Sequence, residues 1–530
     1  MTAVTRDTAP APEMSAHLQD LAAFVTASPS SYHAAEEVAR RLEAVGFTRL
    51  DEAADFPAAP GGYVVVRDGA ALAWIVPMGA AEGAGAGRAD GAAVPVFRVL
   101  GAHTDSPGFK LKPNPATVTA DGWVQAGVEV YGGPLLNSWL DRELRFAGRL
   151  ALDDGTQVLA ATGPVGRIPQ LAIHLDREVN DGLRLQRQRH TNPVVGALAP
   201  RGEGAGEAVA DVSEGVDGRS APLEQGAGEA GVDAGAGGAG AAGVDAGAAG
   251  AGAGGAGLAA RAPGDVLAAL AAAAGVDPSA VRGHDVMVAD AQAPGLFGLA
   301  GEFFASGRLD NLSSVHSGLV ALEELARANG GAEGAIAYAG TVAEGVAGEA
   351  AGAPVIPVLA AFDHEELGSA SRSGAAGPML EEVMGRVLEA LGVSGQGRSR
   401  AIAGSWLLSA DAGHLVHPNY AERHDPVNHP RVNHGPLLKI NANQRYATDA
   451  GGEAAFARWC GVAGVPFQEF VSNNDVPCGS TIGPISATRL GIRTVDVGLG
   501  LLSMHSAREM CGVRDLEHLT AAVREFFRGV

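Results

Sequence analysis

Val355-Ile-Pro-Val-Leu-Ala-Ala-Phe362-Asp-His364-Glu365-Glu366-Leu-Gly368 is an apolar run that breaks abruptly into acids and an imidazole. Short and uncharged, the run predicts a strand covered on both faces. A strand of that kind does not normally end in adjacent acids without cause. Similar apolar runs stand at 94–103, 406–410 and 494–498, and β-rich runs at 62–66 and 72–77. Helical periodicity fills the spaces between. Leu18, Leu21, Phe24 and Val25 share one face, and Val38, Leu42 and Val45 repeat the pattern before Gly46 ends it. Leu312, Val315, Leu319 and Leu322 mark a further helix. This alternation predicts an α/β fold around a largely parallel sheet, in which ligands gather at the carboxyl ends of the strands.

Between Asp105 and about Asp290 the texture changes. Short alternating runs at 117–124, 145–152 and 170–174, punctuated by Gly and Pro, predict a mostly β insertion that divides the α/β domain in two. The expected organisation is therefore a discontinuous domain of residues 1–105 and 290–530 around a β-rich domain of residues 106–289. Within the insertion, residues 201–257 are dominated by Gly and Ala and carry no aromatic side chain. Such a stretch buries too little apolar surface to offset its ordering entropy, so a disordered loop is expected. A second soft insertion is expected at about 330–353.

Composition narrows the function. The 530 residues exceed what one compact core holds, and 46% are hydrophobic. No apolar run is long enough to span a bilayer, and the first residues lack the apolar core of an export signal. Cys460, Cys478 and Cys511 are odd in number and without CxxC spacing, which argues for a reducing compartment. The net charge of −22 disfavours nucleic acid and anionic membranes as partners. A soluble cytoplasmic protein is expected.

Five places put acids or imidazoles where a strand ends or a helix begins. They are His103-Thr-Asp105, Arg308-Leu-Asp310, Asp363-His-Glu365-Glu366, Asp411-Ala-Gly-His414 and Met504-His505. Each alone has a bland reading, as a turn, a helix cap or solvated charge. Together, two imidazoles and three carboxylates form a ligand set for a pair of divalent ions, with one carboxylate able to bridge. His364 is expected on the opposite side of its strand from Glu365, because strand residues alternate.

The stretches GAHTDSPGFKLKPNP (101–115), LAIHLDREVN (171–180), GRLDNLSSVHSGL (307–319), DHEELGS (363–369), SADAGHLVHPNY (409–420), GPLLKINANQRYATD (435–449), NDVPCGSTIGPI (474–485) and MHSAREMCG (504–512) carry a closer likeness. Through them the chain resembles the aspartyl aminopeptidase family of zinc metallopeptidases, over nearly its whole length outside the two soft insertions. The resemblance implies an α/β/α zinc-peptidase domain with an inserted β-rich dimerisation domain. It implies two Zn²⁺ per subunit, one held by His103, Asp310 and Asp411 and the other by Asp310, Glu366 and His505. It also implies that Glu365 is the general base acting on a zinc-bridged water and that Asp105 orients His103.

By the same resemblance, His174 reaches a neighbouring subunit's site, and His414, Lys439 and Tyr446 surround the pocket for the first side chain. By itself His174 reads as a strand histidine. Lys439 stands at the end of an apolar stretch, so it either snorkels to solvent or faces a pocket. Cys478 has no base indicated beside it and reads as a small packed residue. Peptides are the expected substrates, with acidic first residues preferred, and dimers assembling into a homododecamer are the implied quaternary state. The alternatives are a preference for neutral first residues, a related metal-dependent amidase, and a non-enzymatic assembly that retains the fold.

Overall fold

The structure, a computed structural model, describes residues 13–81, 93–198, 265–330, 336, 338–344 and 350–530. The Gly/Ala-rich stretch at 201–257 lies outside the described residues. The chain divides into two compact units, one of Met1–Ala197 with Ala262–Val530 and one of Leu198–Arg261. Of the second, only Leu198 is described.

A nine-stranded sheet forms the centre of the larger unit. Its middle is four strands, Val355–Phe362, Val96–His103, Trp406–Ala410 and Arg493–Gly498, each parallel to its neighbour. Antiparallel pairings appear only towards the edges, where Ala70–Val76 joins Val355–Phe362 and Leu437–Lys439 joins Arg493–Gly498. The quoted apolar run is a strand, buried at every position from Val355 to Phe362. Helices explain that burial. On one face lie Ala16–Ala27, Ser31–Glu43, Leu309–Ala328, Ala450–Ala463 and Val513–Arg528. Met379–Ala390 and Ile482–Leu490 cover the other. With both faces dry, uncharged side chains dominate the central strands, and the charged exceptions Arg98 and Asp496 are themselves buried.

The first two helices begin where the sequence caps them. Ser15 and Ser30 each accept a backbone N–H of the first turn, from Leu18 and His33. The apolar faces read from the sequence pack inward, with Leu21, Val38 and Leu42 fully buried.

A separate six-stranded antiparallel sheet is built from Gly108–Val118, Trp123–Tyr131, Leu144–Leu152, Gln157–Ala161, Val194–Ala197 and Val281–Asp290. Two strands expected there differ. Residues 117–124 are not one strand but the turn of a hairpin, in which Val118 faces Val124 and Gly122 takes a left-handed φ of 82°. Asp121-Gly122 is a turn signal that outweighs the alternation around it. Residues 170–174 form no strand either. They run into a turn closed by the Leu175 N–H on the Ala172 carbonyl, at 2.8 Å.

The stretch expected to be soft at 330–353 is partly packed: Ile336, Tyr338 and Val342 are buried, and the Tyr338 hydroxyl donates to the Phe527 carbonyl. Among the described residues no helix is long and apolar enough to cross a membrane.

Candidate metal centre and active site

Parallel register brings the strand ends to one edge. His103 stands opposite Phe362, and the strand Val96–His103 lies between Val355–Phe362 and Trp406–Ala410. The chain leaves the central strand to one side and later returns on the other, which opens a crevice at the strand ends. Asp411 follows Ala410, its N–H bonded to the Val497 carbonyl at 3.0 Å. Gly498 permits this approach, since a Cβ there would lie 1.5 Å from the Asp411 carbonyl oxygen.

Five side chains converge at this edge. His103 is 1% exposed. Its Nε2 lies 3.3 Å from Asp310 Oδ1 and 3.3 Å from Asp411 Oδ1. His505 Nε2 lies 3.6 Å from Asp310 Oδ2 and 3.6 Å from Glu366 Oε2. Asp310 therefore presents one oxygen to each imidazole. The other ring nitrogens are turned away: His103 Nδ1 meets the Asp105 carbonyl at 3.1 Å and His505 Nδ1 meets the Gly133 carbonyl at 3.1 Å. A proton at Nδ1 leaves each Nε2 lone pair facing the carboxylates.

Asp105 ties two parts of the site together. Besides lying 3.4 Å from His103 Nδ1, its carboxylate accepts the N–H groups of Glu365 and Glu366 at 3.1 and 3.2 Å, and the Tyr131 hydroxyl at 2.9 Å. Glu365 and Glu366 lie on a single 3₁₀ turn after the strand, entered through His364 in left-handed conformation. Strand alternation therefore does not govern His364. It leaves the strand and bonds Ser371 Oγ through Nδ1 at 2.9 Å.

Crowding of buried acids dominates the electrostatics. Burial pushes the Glu365 carboxyl up to about 8, and the neighbouring Asp411, Asp310 and Asp105 add to the shift. Burial, then Asp310, raises Glu366 well above its ordinary value. Burial disfavours a charged His103, yet Asp105, Asp310 and Asp411 raise its pKa well above the usual imidazole value. So many acids facing two imidazoles call for added positive charge. Asp310 Oδ1 and Glu366 Oε1 are buried without a hydrogen-bond partner. Ligand atoms of His103, Asp310 and Glu366 lie within 4.8 Å of one another. Carboxylate oxygens with imidazole nitrogens suit zinc, so the residues present fit the ion.

A cleft of about 260 Å³ is lined by His414, Tyr446, Phe470, Cys478, Arg423 and Ser503, among others. Lys439 is placed differently from the two readings open to it. It neither snorkels nor faces the cleft as a free ammonium: it is 1% exposed and donates from Nζ to the Ala412 carbonyl at 2.6 Å. Nζ also lies 5.2 Å from the Tyr446 ring centre. The lysine thus underpins the segment joining Asp411 to His414. Thr481 donates its hydroxyl to the buried Asp496 at 2.6 Å, and Asp496 also accepts the Ala447 N–H at 2.6 Å. One carboxylate so holds both the Tyr446 and the Cys478 segments.

His174 is not brought to this site within one chain. It lies exposed in a turn and has no hydrogen bond or ion pair to the cluster among the described residues. Sequence reasoning missed Tyr131 and Glu509. Tyr131 had no signal, being one aromatic residue in a strand. Glu509 had a weak one, an acid four residues after His505.

Two imidazoles, one of them buried, facing buried acids at the carboxyl edge of a covered parallel sheet fit a metal-dependent hydrolase of the zinc-peptidase class. The family model described as Aminopeptidase I zinc metalloprotease (M18) matches residues 24–221 and 257–527. The chain belongs to this family and is a zinc-dependent aminopeptidase. It is 44% identical over 514 residues to a probable M18 family aminopeptidase 2 of Streptomyces coelicolor, covering 97% of this chain and 98% of that protein. A probable M18 family aminopeptidase 2 of Pseudomonas aeruginosa is 36% identical over 514 residues, covering 96% and 97%. Among solved structures, the chain described as the Ape4 and Nbr1 complex matches with a TM-score of 0.75 and 31% identity, covering 97% of this chain and 85% of that one. An M18 aminopeptidase from Thermotoga maritima shares the fold, with a TM-score of 0.70 at 20% identity and coverage of 97% and 96%.

Proposed function

We propose that the chain releases the first residue of peptides using two zinc ions. His103, Asp310 and Asp411 hold one ion, and Asp310, Glu366 and His505 the other. The observation that carries this reading is Asp310, whose two oxygens face His103 and His505 at 3.3 and 3.6 Å. Zinc bound there supplies Lewis acidity and brings the pKa of a water near 7. Glu365 takes the proton from the attacking water and delivers it to the departing amine. Asp105 holds His103 in its ligand tautomer and anchors the turn that carries Glu365. An acid of the cluster receives the substrate's free α-amino group, which restricts cleavage to the first residue. The experiment is zinc content per chain together with turnover of amino-acid arylamides and their N-acetylated counterparts. Two zinc ions and loss of turnover on acetylation are expected. Equal turnover of the acetylated compounds would make the protein an amidase instead.

Self-association belongs to this reading. Leu171, Ile173 and Leu175 are 59%, 44% and 75% exposed around His174, and one solved relative of the fold is described as the mApe1 dodecamer of S. cerevesiae. An apolar turn left bare in one chain fits a partner surface. The β-rich residues 106–289 would then serve dimerisation, residues 1–105 and 290–530 catalysis, and dimers would assemble into a homododecamer. His174 would act at the neighbour's centre. His174→Ala and Glu365→Gln, each nearly inactive alone, are expected to recover partial activity when co-assembled, because a mixed dimer pairs an intact Glu365 with an intact His174. No recovery in verified hetero-oligomers would return His174 to a same-chain role. Cytoplasmic location is supported by the three unpaired cysteines.

The same reading includes a preference for acidic first residues. Lys439 lies beneath the cleft rather than in it, with His414, Tyr446 and Arg423 lining the opening. A buried ammonium still favours an anion nearby, at a cost in desolvation, so a roughly tenfold to hundredfold preference for Asp and Glu over Leu and Ala is expected. The measurement is kcat/KM on the four arylamides, for wild type and Lys439→Met. Equal wild-type rates would sink the acidic preference, and a preference that survived Lys439→Met would assign it to the cleft's own side chains.

A further inference from the structure

Glu509 is a buried acid for which the proposed ligand set has no task. It opens the strand Glu509–Gly512, pairs with Ser306 across the ladder and is 2% exposed. Its two oxygens go to two different ligands. Oε2 accepts the Asp310 N–H at 2.9 Å and Oε1 accepts the His505 N–H at 2.8 Å.

Neither of those residues is held by regular backbone. Asp310 has non-helical angles (φ −81°, ψ 101°) inside the segment Leu309–Ala328, and His505 has a left-handed φ of 65°. Without a ladder of backbone bonds, the position of each depends on particular contacts. The other ties of Asp310 lead elsewhere. Its carbonyl accepts the Ser106 hydroxyl at 2.6 Å, and the neighbouring Asn311 amide donates to the Ala410 carbonyl at 2.8 Å. Those bonds fix Asp310 relative to His103 and Asp411. Glu509 bonds Asp310 and His505 at once, through a planar group of fixed geometry.

We infer that Glu509 is a positioning residue that sets the separation of Asp310 and His505, and so the affinity of the zinc ion they share with Glu366. The inference rests on the ligand assignment above. Its chemistry is specific. A carboxylate offers two acceptors to two N–H donors, whereas an amide offers one acceptor and turns an NH₂ group towards the second donor. Hydrogen-bond partners that orient metal ligands typically change affinity by about 10–100-fold when altered.

The test is a calorimetric titration of zinc-free protein with zinc, beside the melting temperature of the zinc-free form. Wild type is expected to take up two equivalents. Glu509→Gln is expected to melt close to wild type when zinc-free, to bind the first equivalent as wild type does, and to bind the second about 10–100-fold more weakly. Turnover lost at limiting zinc should return as zinc is raised, because mass action refills a loosened site. Unchanged affinity for both equivalents in Glu509→Gln would overturn the inference and leave the ligand assignment standing. Fewer than two equivalents in wild type would sink the assignment, and this inference with it. If the glutamine variant does not fold, Glu509→Asp carries the test. It keeps the carboxyl group but shortens the reach by one methylene, and the same loosening is expected. Wild-type affinity there overturns the inference equally.

Discussion

Glu365→Gln is expected to keep both zinc ions and to lose about 10²–10⁴-fold in kcat. The side chain stands on the 3₁₀ turn that also carries Glu366, so the substitution leaves the proposed ligands and the backbone bonds to Asp105 in place. What it removes is a carboxyl whose proton affinity the site has raised, burial first and the surrounding acids after. A group so poised both accepts and returns a proton near neutral pH, and bound cations draw it back towards the anion needed to accept one. Glutamine is isosteric and cannot do either. Zinc analysis and arylamide kinetics on the same preparation check the result. Activity within a few-fold of wild type would show that another group takes the proton.

Asp310→Ala is expected to fail differently. Its oxygens face both imidazoles, so in the proposed ligand set one substitution strips a ligand from each ion, and zinc and turnover should disappear together. Stability separates this outcome from simple misfolding. Burial disfavours a charged Asp310, yet His103 and His505 hold its carboxyl well below the usual range, so its removal costs two favourable pairings in the zinc-free protein. The zinc-free variant should therefore melt somewhat below zinc-free wild type while still unfolding cooperatively. What it should lose is stabilisation by added zinc, which for an intact site amounts to about 2.7 kcal/mol at a concentration 100 times Kd. Thermal melts with and without zinc check this. Undiminished stabilisation by zinc would remove Asp310 from the centre.

The two expectations differ because the residues differ in how legible they were. Glu365 and Glu366 stood out at once, as acids ending a strand otherwise free of charge. Asp310 read alone as a helix cap, yet its backbone there is not helical and its carboxylate turns to two imidazoles. His174 read as a strand residue, since apolar side chains alternate around it, but that stretch meets no partner strand among the described residues and forms an exposed turn. The hairpin at Gly122 was hidden for the opposite reason. Alternation continues through it, and only the Asp121-Gly122 pair marks the reversal.

Local pattern by itself determined the central strands of the sheet, though not its short edge strands Phe47–Arg49, Leu437–Lys439 and Gln468–Phe470. An uncharged run such as Val355–Phe362 is stable only where both faces are covered, so its composition dictates a central strand. The placing of acids and imidazoles at the ends of such runs likewise identified where the chemistry sits. Tertiary structure alone decided which atoms meet. Lys439 is an ordinary basic residue in the sequence, and only the path of the segment from Asp411 to His414 gives its ammonium a carbonyl to bond and seals it from water. Asp105 gathers the N–H groups of Glu365 and Glu366 and the Tyr131 hydroxyl, and Glu509 joins Asp310 to His505. The physical reason is range. Periodicity and composition act over a few neighbouring residues, whereas most of these bonds join residues far apart in the chain and exist only once strand register has brought them within reach.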